Sequence, residues 1–285
     1  MAITKPENLN LNEIEKALIE IREEAKTYSD KEILKTLFNC IDLTSLNPSD
    51  SARSIRIFTE KVNWFETMFL TNNVAAICVY PSHIETVKTY LKVPNVKIAS
   101  VSACFPSSQS FLSVKIGESE LAINKGADEL DIVLSLGHFF DKDHQYITNE
   151  ISLIKTILGK KQLKVILETG ELKTIENIYN ASILAMDSGA DFIKTSTGKT
   201  SVSATPEAVY TMCRAISDYH DNTGKMIGIK PSGGISTSED ALLYYTIVKT
   251  VLGDKWLNNK LFRIGASRLA NNLLSDIYQK EIKHF

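Results

Sequence analysis

Short runs of apolar, largely β-branched residues recur along this chain, and each is followed by a longer stretch whose apolar positions repeat every three to four residues. Switching between a period of two and a period of about 3.6 is the pattern of strand-helix-strand units that build a parallel sheet. The strand runs are Phe38 to Thr44, Val74 to Tyr80, Val96 to Ala103, Glu129 to Leu134, Leu163 to Thr169, Phe192 to Ser196, Met226 to Lys230 and Phe262 to Gly265. Eight such units predict an α/β fold closed into a barrel, the (β/α)8 TIM barrel. Helix starts are marked by Thr205 before Pro206 and Glu207, which suits an N-cap with proline at the first helical position. Ser236 with Glu239 fits a capping box.

Ahead of the first strand, residues 1–37 hold a helical pattern through Leu11, Ile14, Leu18, Ile21, Ile33, Leu34 and Leu37, rich in Glu and Lys and without an obvious catalytic group. We expect a helical extension over 1–37 that packs over and closes the bottom of a single catalytic barrel spanning 38–285. No internal repeat, low-complexity tract or Gly/Ser linker suggests a second tethered domain. The chain length of 285 residues agrees with one barrel of about 250 residues plus such an extension.

Composition narrows the function class. A formal charge of -2 leaves no basic footprint for nucleic acid, and no apolar run is long enough to span a bilayer. The N-terminal MAITKPENLNLNEIEKALIEI lacks the basic start and apolar core of a signal peptide, so a cytoplasmic location is expected. Cys40, Cys78, Cys104 and Cys213 are far apart with no C-x-x-C pair, and the histidines show no H-x-H or H-E-x-x-H spacing. Reduced thiols and no protein-bound metal are the expectation.

The segment with the most chemistry is Asp191-Phe-Ile-Lys-Thr-Ser-Thr-Gly-Lys199, which sets Lys194 near the end of a strand instead of on a solvated helix face. A lysine attacks a carbonyl only as the free amine, and both burial and a neighbouring cation disfavour the ammonium form. Lys230, in Gly-Ile-Lys-Pro-Ser-Gly-Gly, ends the adjacent strand and is the candidate cation. Period-two alternation allows Asp42, Asp131 and Lys164 to point into the same interior, with Asp131 as the acid/base candidate, polarised by Lys164 or Lys230. Asp128 and Glu129 read as rim groups. Cys78 falls near the same mouth, but a lone cysteine on an apolar strand is usually a small core residue, so no covalent role is expected of it. The competing reading is a buried ion network with a purely structural purpose. Gly233 and Gly234 after the seventh strand, and Gly265 and Ser267 after the eighth, occupy the two loops that often bind phosphate in this fold, and Thr197, Gly198, Lys199 and Ser232 could add donors.

Taken in order, DLTSLN from Asp42, AAICVYP from Ala75, GADELDIV from Gly126, LKVILETGEL, DFIKTSTGK, KPSGG and FRIGAS closely resemble the deoxyribose-phosphate aldolases over most of residues 38–270. The resemblance implies reversible cleavage of 2-deoxy-D-ribose 5-phosphate to acetaldehyde and D-glyceraldehyde 3-phosphate, in deoxynucleoside breakdown, with no metal or organic cofactor. It implies Lys194 as the Schiff-base lysine, Lys230 as the lysine that lowers its pKa, and Asp131 as the acid handling protons. Asp42, Thr44, Cys78, Lys164, Thr197, Gly198, Lys199, Gly233, Gly234, Gly265 and Ser267 then become expected substrate contacts. The partners expected are the sugar phosphate and acetaldehyde, with no nucleic acid or membrane, and a homodimer as the assembly entertained. Where family members often carry paired serines after the eighth strand, this chain reads Ser267-Arg268, which leaves Arg268 either on the phosphate or facing solvent. Two rivals remain at this stage: another Schiff-base aldolase, acting on a longer ketose, and a barrel that senses a sugar phosphate without turning it over.

Overall fold

The computed structural model describes Pro6, Leu9 to Tyr28 and Asp30 to Phe285; residues 1–5, 7, 8 and 29, which belong to the expected helical extension and, except for residue 29, to the N-terminal MAITKPENLNLNEIEKALIEI, lie outside the described residues. Strands β1 (Ile41–Thr44), β2 (Ala76–Val79), β3 (Lys97–Val101), β4 (Glu129–Val133), β5 (Gln162–Ile166), β6 (Phe192–Lys194), β7 (Gly228–Lys230) and β8 (Ile264–Ala266) pair in parallel in chain order, and β8 returns to β1. The seam between β7 and β8 is sparser. It is held by parallel bridges at Ile229–Phe262 and Ser232–Gly265, with the Gly265 N–H donating to the Pro231 carbonyl at 2.9 Å. With helices between successive strands, the architecture is the TIM barrel that the alternation predicts.

Two helices, α1 (Leu11–Thr27) and α2 (Lys31–Asn39), precede the barrel. The strand-connecting helices are α3 (Ala52–Met68), α4 (Ile84–Tyr90), α5 (Leu112–Lys125), the short α6 (Leu136–Phe140), α7 (His144–Leu158), the single-turn α8 (Thr169–Leu172), α9 (Ile175–Asp187), α10 (Pro206–Thr223) and α11 (Ser238–Leu252), with α12 (Arg268–Tyr278) after β8. Thr205 caps α10 as expected, accepting the Ala208 N–H at 3.2 Å. The cap of α11 falls one residue beyond Ser236: Thr237 and Asp240 form the reciprocal capping box.

Several strand edges contract by one to three residues, and three of them show where the neighbouring backbone takes over. Phe38 belongs to α2 and not to β1, because Leu34, Leu37 and Phe38 bury one helical face, which outweighs the strand preference of an aromatic residue. The fifth strand stops at Ile166, since Glu168 adopts a left-handed φ of 53° and Thr169 already begins α8. The eighth starts at Ile264, two residues after Phe262.

The expected role of the N-terminal extension needs correcting. Helix α1 buries Ile14, Leu18, Ile21 and Ala25 against α10 and α11, and Lys249 Nζ donates to the Tyr28 hydroxyl at 2.7 Å. It therefore adds to the outer helical layer, and does not close the barrel bottom. Among the described residues that end is a hollow of about 830 Å³ lined by Asn39, Lys97, Gln162, Lys260 and Arg263 among others. The C-terminal residues dock on the lower part of α3 and on α12: Phe285 stacks on Phe65, and Asn271 Oδ1 accepts the N–H groups of His284 and Phe285 at 2.9 Å.

Residues such as Leu43, Ile77, Leu130, Val165, Ile193 and Ile229, facing the helices, are fully buried in the main core. Inside the barrel the two sides differ. The β2 and β3 side is apolar, with Ala76, Cys78, Ala99 and Val101 in one small cluster. Much of the rest of the interior is occupied by buried ionisable side chains, an unusual content for a barrel core, which normally favours branched apolar residues.

Candidate active site

The alternation of β4 to β8 and β1 projects Asp42, Glu129, Asp131, Lys164, Lys194, Lys230 and Arg263 into the barrel, all at most 4% exposed. Asp131 is the hub. Its Oδ2 accepts from Lys194 Nζ at 2.9 Å and from Lys230 Nζ at 2.8 Å, while its Oδ1 accepts from Lys164 Nζ at 3.0 Å. Lys230 is also ion-paired with Asp42, and Lys164 lies 3.6 Å from the same Asp42 oxygen. Nearer the barrel bottom, Lys164 reaches Glu129 at 2.5 Å, and the Arg263 guanidinium bridges Asp42 and Glu129, the latter at 2.9 Å.

Each group's proton affinity follows from its position in this network. Burial pulls the Lys194 pKa below the ordinary lysine value; Asp131 opposes the fall, and Lys230 adds to it. Burial acts the same way on Lys164 and Lys230, but Asp131 and the other carboxylates around each win, so both are raised above the usual lysine range. For Asp131 burial favours the neutral acid, yet Lys164, Lys194 and Lys230 together hold it well below the usual carboxylate range. Asp42 is lowered in the same sense by Lys230, Arg263 and Lys164. The ion network that the sequence offered as a rival to chemistry therefore exists, and Lys194 stands apart in it. It is the one lysine of the three pushed toward the free amine, and it alone among them opens onto the mouth of the barrel.

That mouth is a pocket of about 370 Å³ at the C-terminal ends of the strands. Of the expected substrate contacts, Thr44, Thr197, Gly198, Lys199, Gly233, Gly234, Gly265 and Ser267 line it, along with Lys194, Ser232 and Arg268. Arg268 thus faces the pocket as well as solvent. Asp42 and Lys164 do not line it: both are wholly buried below Lys194, where their oxygens and protons are used within the network. Cys78 belongs to the apolar wall with Leu46, Ala76, Ala99 and Val101, and burial pushes its thiol pKa up. Glu129, read from sequence as a rim group, is 3% exposed and inside the network, whereas Asp128 is half-buried and accepts the Ile98 N–H at 2.9 Å.

The loops around the mouth are tied to one another. Glu168 accepts the Thr197 N–H at 3.2 Å and the Thr197 hydroxyl, fixing the turn after β6. Ser232 donates its hydroxyl to the Ser196 carbonyl at 2.6 Å and its N–H to Thr195 Oγ1 at 2.9 Å, locking the turn after β7 to that after β6. Gly265 has no room for a side chain: a Cβ there would lie 2.6 Å from Ser232 Cβ and 3.3 Å from Lys230 Cε. Residues that the sequence reading missed are Arg263 and Glu168. For Arg263 a signal existed, because it shares the inward alternation with Gly265 on a strand too short and apolar to face water. Nothing local marked Glu168.

Comparison with known proteins follows the same lines. The model of the DeoC/LacD family of aldolases matches residues 37–269. A Caenorhabditis elegans relative is 42% identical over 267 residues, covering 93% of this chain and 88% of its own. The human protein named deoxyribose-phosphate aldolase is 40% identical over 249 residues, covering 84% of this chain and 78% of its own. Among solved structures, a Toxoplasma gondii chain, 22% identical, shares the fold with a TM-score of 0.78 over 87% of this chain and 98% of that one. A tetrameric deoxyribose phosphate aldolase from Aeropyrum pernix, 25% identical, gives 0.65 over 90% and 97%.

Proposed function

The chain belongs to the DeoC/LacD family of aldolases, and we propose that it reversibly cleaves 2-deoxy-D-ribose 5-phosphate to acetaldehyde and D-glyceraldehyde 3-phosphate through a Schiff base on Lys194. The observation that carries this reading is the Lys194 amine itself. It is buried at the base of the mouth pocket, is pushed toward its neutral form, and shares the single oxygen Asp131 Oδ2 with the cation of Lys230.

In the cleavage direction the Lys194 amine adds to the C1 aldehyde of the open-chain sugar, and loss of water gives an iminium that acts as an electron sink. Removal of the C3 hydroxyl proton lets the C2–C3 bond break, its electron pair entering the C1–C2 bond as an enamine while the C3 oxygen becomes the aldehyde of glyceraldehyde 3-phosphate. Protonation of the enamine at C2 and hydrolysis of the iminium release acetaldehyde and regenerate the amine. Asp131, kept ionised by its lysines, is the group placed to pass these protons through a water, and Lys230 supplies the charge that disfavours protonation of Lys194. Thr44, which faces the pocket, suits a substrate hydroxyl better than the buried Asp42. The backbone N–H groups at Gly198, Gly233, Gly234 and Ser267, with the Lys199 and Arg268 charges, suit the phosphate.

The same reading assigns the activity to deoxynucleoside breakdown in the cytoplasm. It also carries the homodimer, tested by the mass in solution. A longer-ketose aldolase or a non-catalytic sensor is separated from this proposal by one experiment: borohydride reduction in the presence of acetaldehyde, with the modified peptide located by mass spectrometry. A two-carbon adduct on Lys194, lost in Lys194→Ala along with turnover, is the expected result. A folded protein with no adduct on Lys194 refutes it.

A further inference from the structure

We infer that Arg263 is a positioning residue for this reaction: clamped between Asp42 and Glu129, it fixes the charge count of the barrel interior so that Lys194 is the one cation without a carboxylate of its own. The inference rests on the Schiff-base reading above and extends it to the opposite end of the barrel.

The interior holds the carboxylates Asp42, Glu129 and Asp131, and the cations Lys164, Lys230, Arg263 and Lys194. Low-dielectric surroundings penalise a net charge, so three carboxylates sustain three cations and leave the fourth basic group to give up its proton. Contacts decide which one that is. Lys164 lies among Glu129, Asp131 and Asp42 at 2.5, 3.0 and 3.6 Å. Lys230 bridges Asp42 and Asp131. Lys194 has only Asp131 Oδ2 at 2.9 Å, an oxygen that Lys230 already uses. Arg263 cannot release its proton, and it takes up the remaining oxygen of Asp42 and both oxygens of Glu129, at 2.9 and 3.3 Å.

Without Arg263, Asp42 and Glu129 would draw Lys230 and Lys164 toward themselves, and Asp131 would be left for Lys194 to neutralise as an ammonium. Other charged groups do not substitute for it. Facing Lys194, the Cys78 thiol is kept neutral by burial, Glu168 is occupied by Thr197, and Lys199 donates to the Leu46 carbonyl. Around Arg263 lie the Cys40 thiol, likewise pushed up by burial, to about 12, and the Phe192 ring, 5.8 Å from the guanidinium carbon. Glu66, Asp128, Lys97, Lys160, Lys161 and Lys260 line the open hollow beyond it, where access to solvent screens them.

The test uses the full chain and reads the pH midpoint of borohydride-trapped acetaldehyde on Lys194 in four variants. Arg263→Met should raise the midpoint by about one pH unit, the size expected for a unit charge acting across intervening ion pairs at an effective dielectric near 20. Arg263→Lys, which keeps the charge, should leave it near the parent value. Glu129→Gln removes a negative charge and should lower it. Arg263→Met with Glu129→Gln restores the count and should return it. Opposite shifts of the single variants and their cancellation are what a merely structural role would not produce. Equal-sign shifts, or an unmoved midpoint in folded variants, overturn the inference while leaving the Schiff-base reading intact. If Arg263→Met proves unfolded by circular dichroism, Glu129→Gln and the double variant decide the matter by the same signs. Absence of a Lys194 adduct in the parent protein overturns both.

Discussion

Lys230→Met isolates the electrostatic half of the proposed mechanism. Both lysine nitrogens approach Asp131 Oδ2 within 3 Å, Lys194 at 2.9 Å and Lys230 at 2.8 Å, on side chains that leave neighbouring strands at the paired positions Lys194 and Lys230. Their nitrogens are therefore no more than about 6 Å apart, and at an effective dielectric of about 20 a repulsion of roughly 3 kcal/mol follows, equivalent to about two pH units. The sign is fixed by geometry. A cation beside Lys194 disfavours its ammonium form, so removing that cation raises the Lys194 pKa, and the amine becomes free only at higher pH. Freed from Lys230, Asp131 also attracts the Lys194 proton more strongly, which acts in the same direction. The assay is the rate of acetaldehyde-dependent borohydride trapping on Lys194 from pH 5 to 10. The expected midpoint moves up by about two units, and the rate near neutrality falls on the order of 100-fold yet recovers in alkali. Because breaking a buried pair leaves uncompensated carboxylates, thermal unfolding is followed in parallel, and Asp42→Asn combined with Lys230→Met relieves that excess. A midpoint that stays in place, with the protein folded, would refute the assignment of Lys230 as the group that depresses Lys194.

Three further outcomes are expected. Gly233→Ala should weaken substrate binding more than turnover at saturation, since φ is +84° there and an added Cβ would lie 2.5 Å from Ser203 Oγ on the facing loop; KM and kcat measured separately check it. Away from the mouth, Glu150→Ala should lower stability by about 3–5 kcal/mol by stranding the buried ammonium of Lys115, which now donates to Glu150 at 2.6 Å, whereas Lys115→Met with Glu150→Leu should recover much of the loss in a denaturant titration. Acid should destabilise the fold in a defined sense: Asp42 and Asp131 bind protons less readily folded than unfolded, so their contribution is present above the ordinary carboxylate range and is lost as pH falls through and below it. Thermal midpoints that do not fall between pH 5 and pH 3 would contradict that.

Much of the fold, and the convergence of the candidate site residues, was legible in the sequence, because both rest on local regularities. Alternation of strand and helix periods located eight strands to within a few residues, since a strand buried on both faces must be written as an apolar run. Lysines and aspartates interrupting such runs at Asp42, Asp131, Lys164, Lys194 and Lys230 stood out, because a charge has no cheap place in a barrel interior. Glycine and serine turns after the sixth, seventh and eighth strands marked the mouth for the same kind of reason: only certain residues allow those bends. Which residues interact was decided by closure of the sheet. Arg263 and Glu129 lie 134 positions apart in the chain and meet only because strands from different parts of the chain converge inside one barrel. Closure likewise placed Asp42 and Lys164 beneath the pocket and left Lys194 at its floor, and it set α1 against α10 and α11 instead of under the barrel. The amino-acid order determined which groups would be buried; three-dimensional proximity, through the strong dependence of charge interactions on distance in a medium poor in water, decided which of them is pushed toward its neutral form.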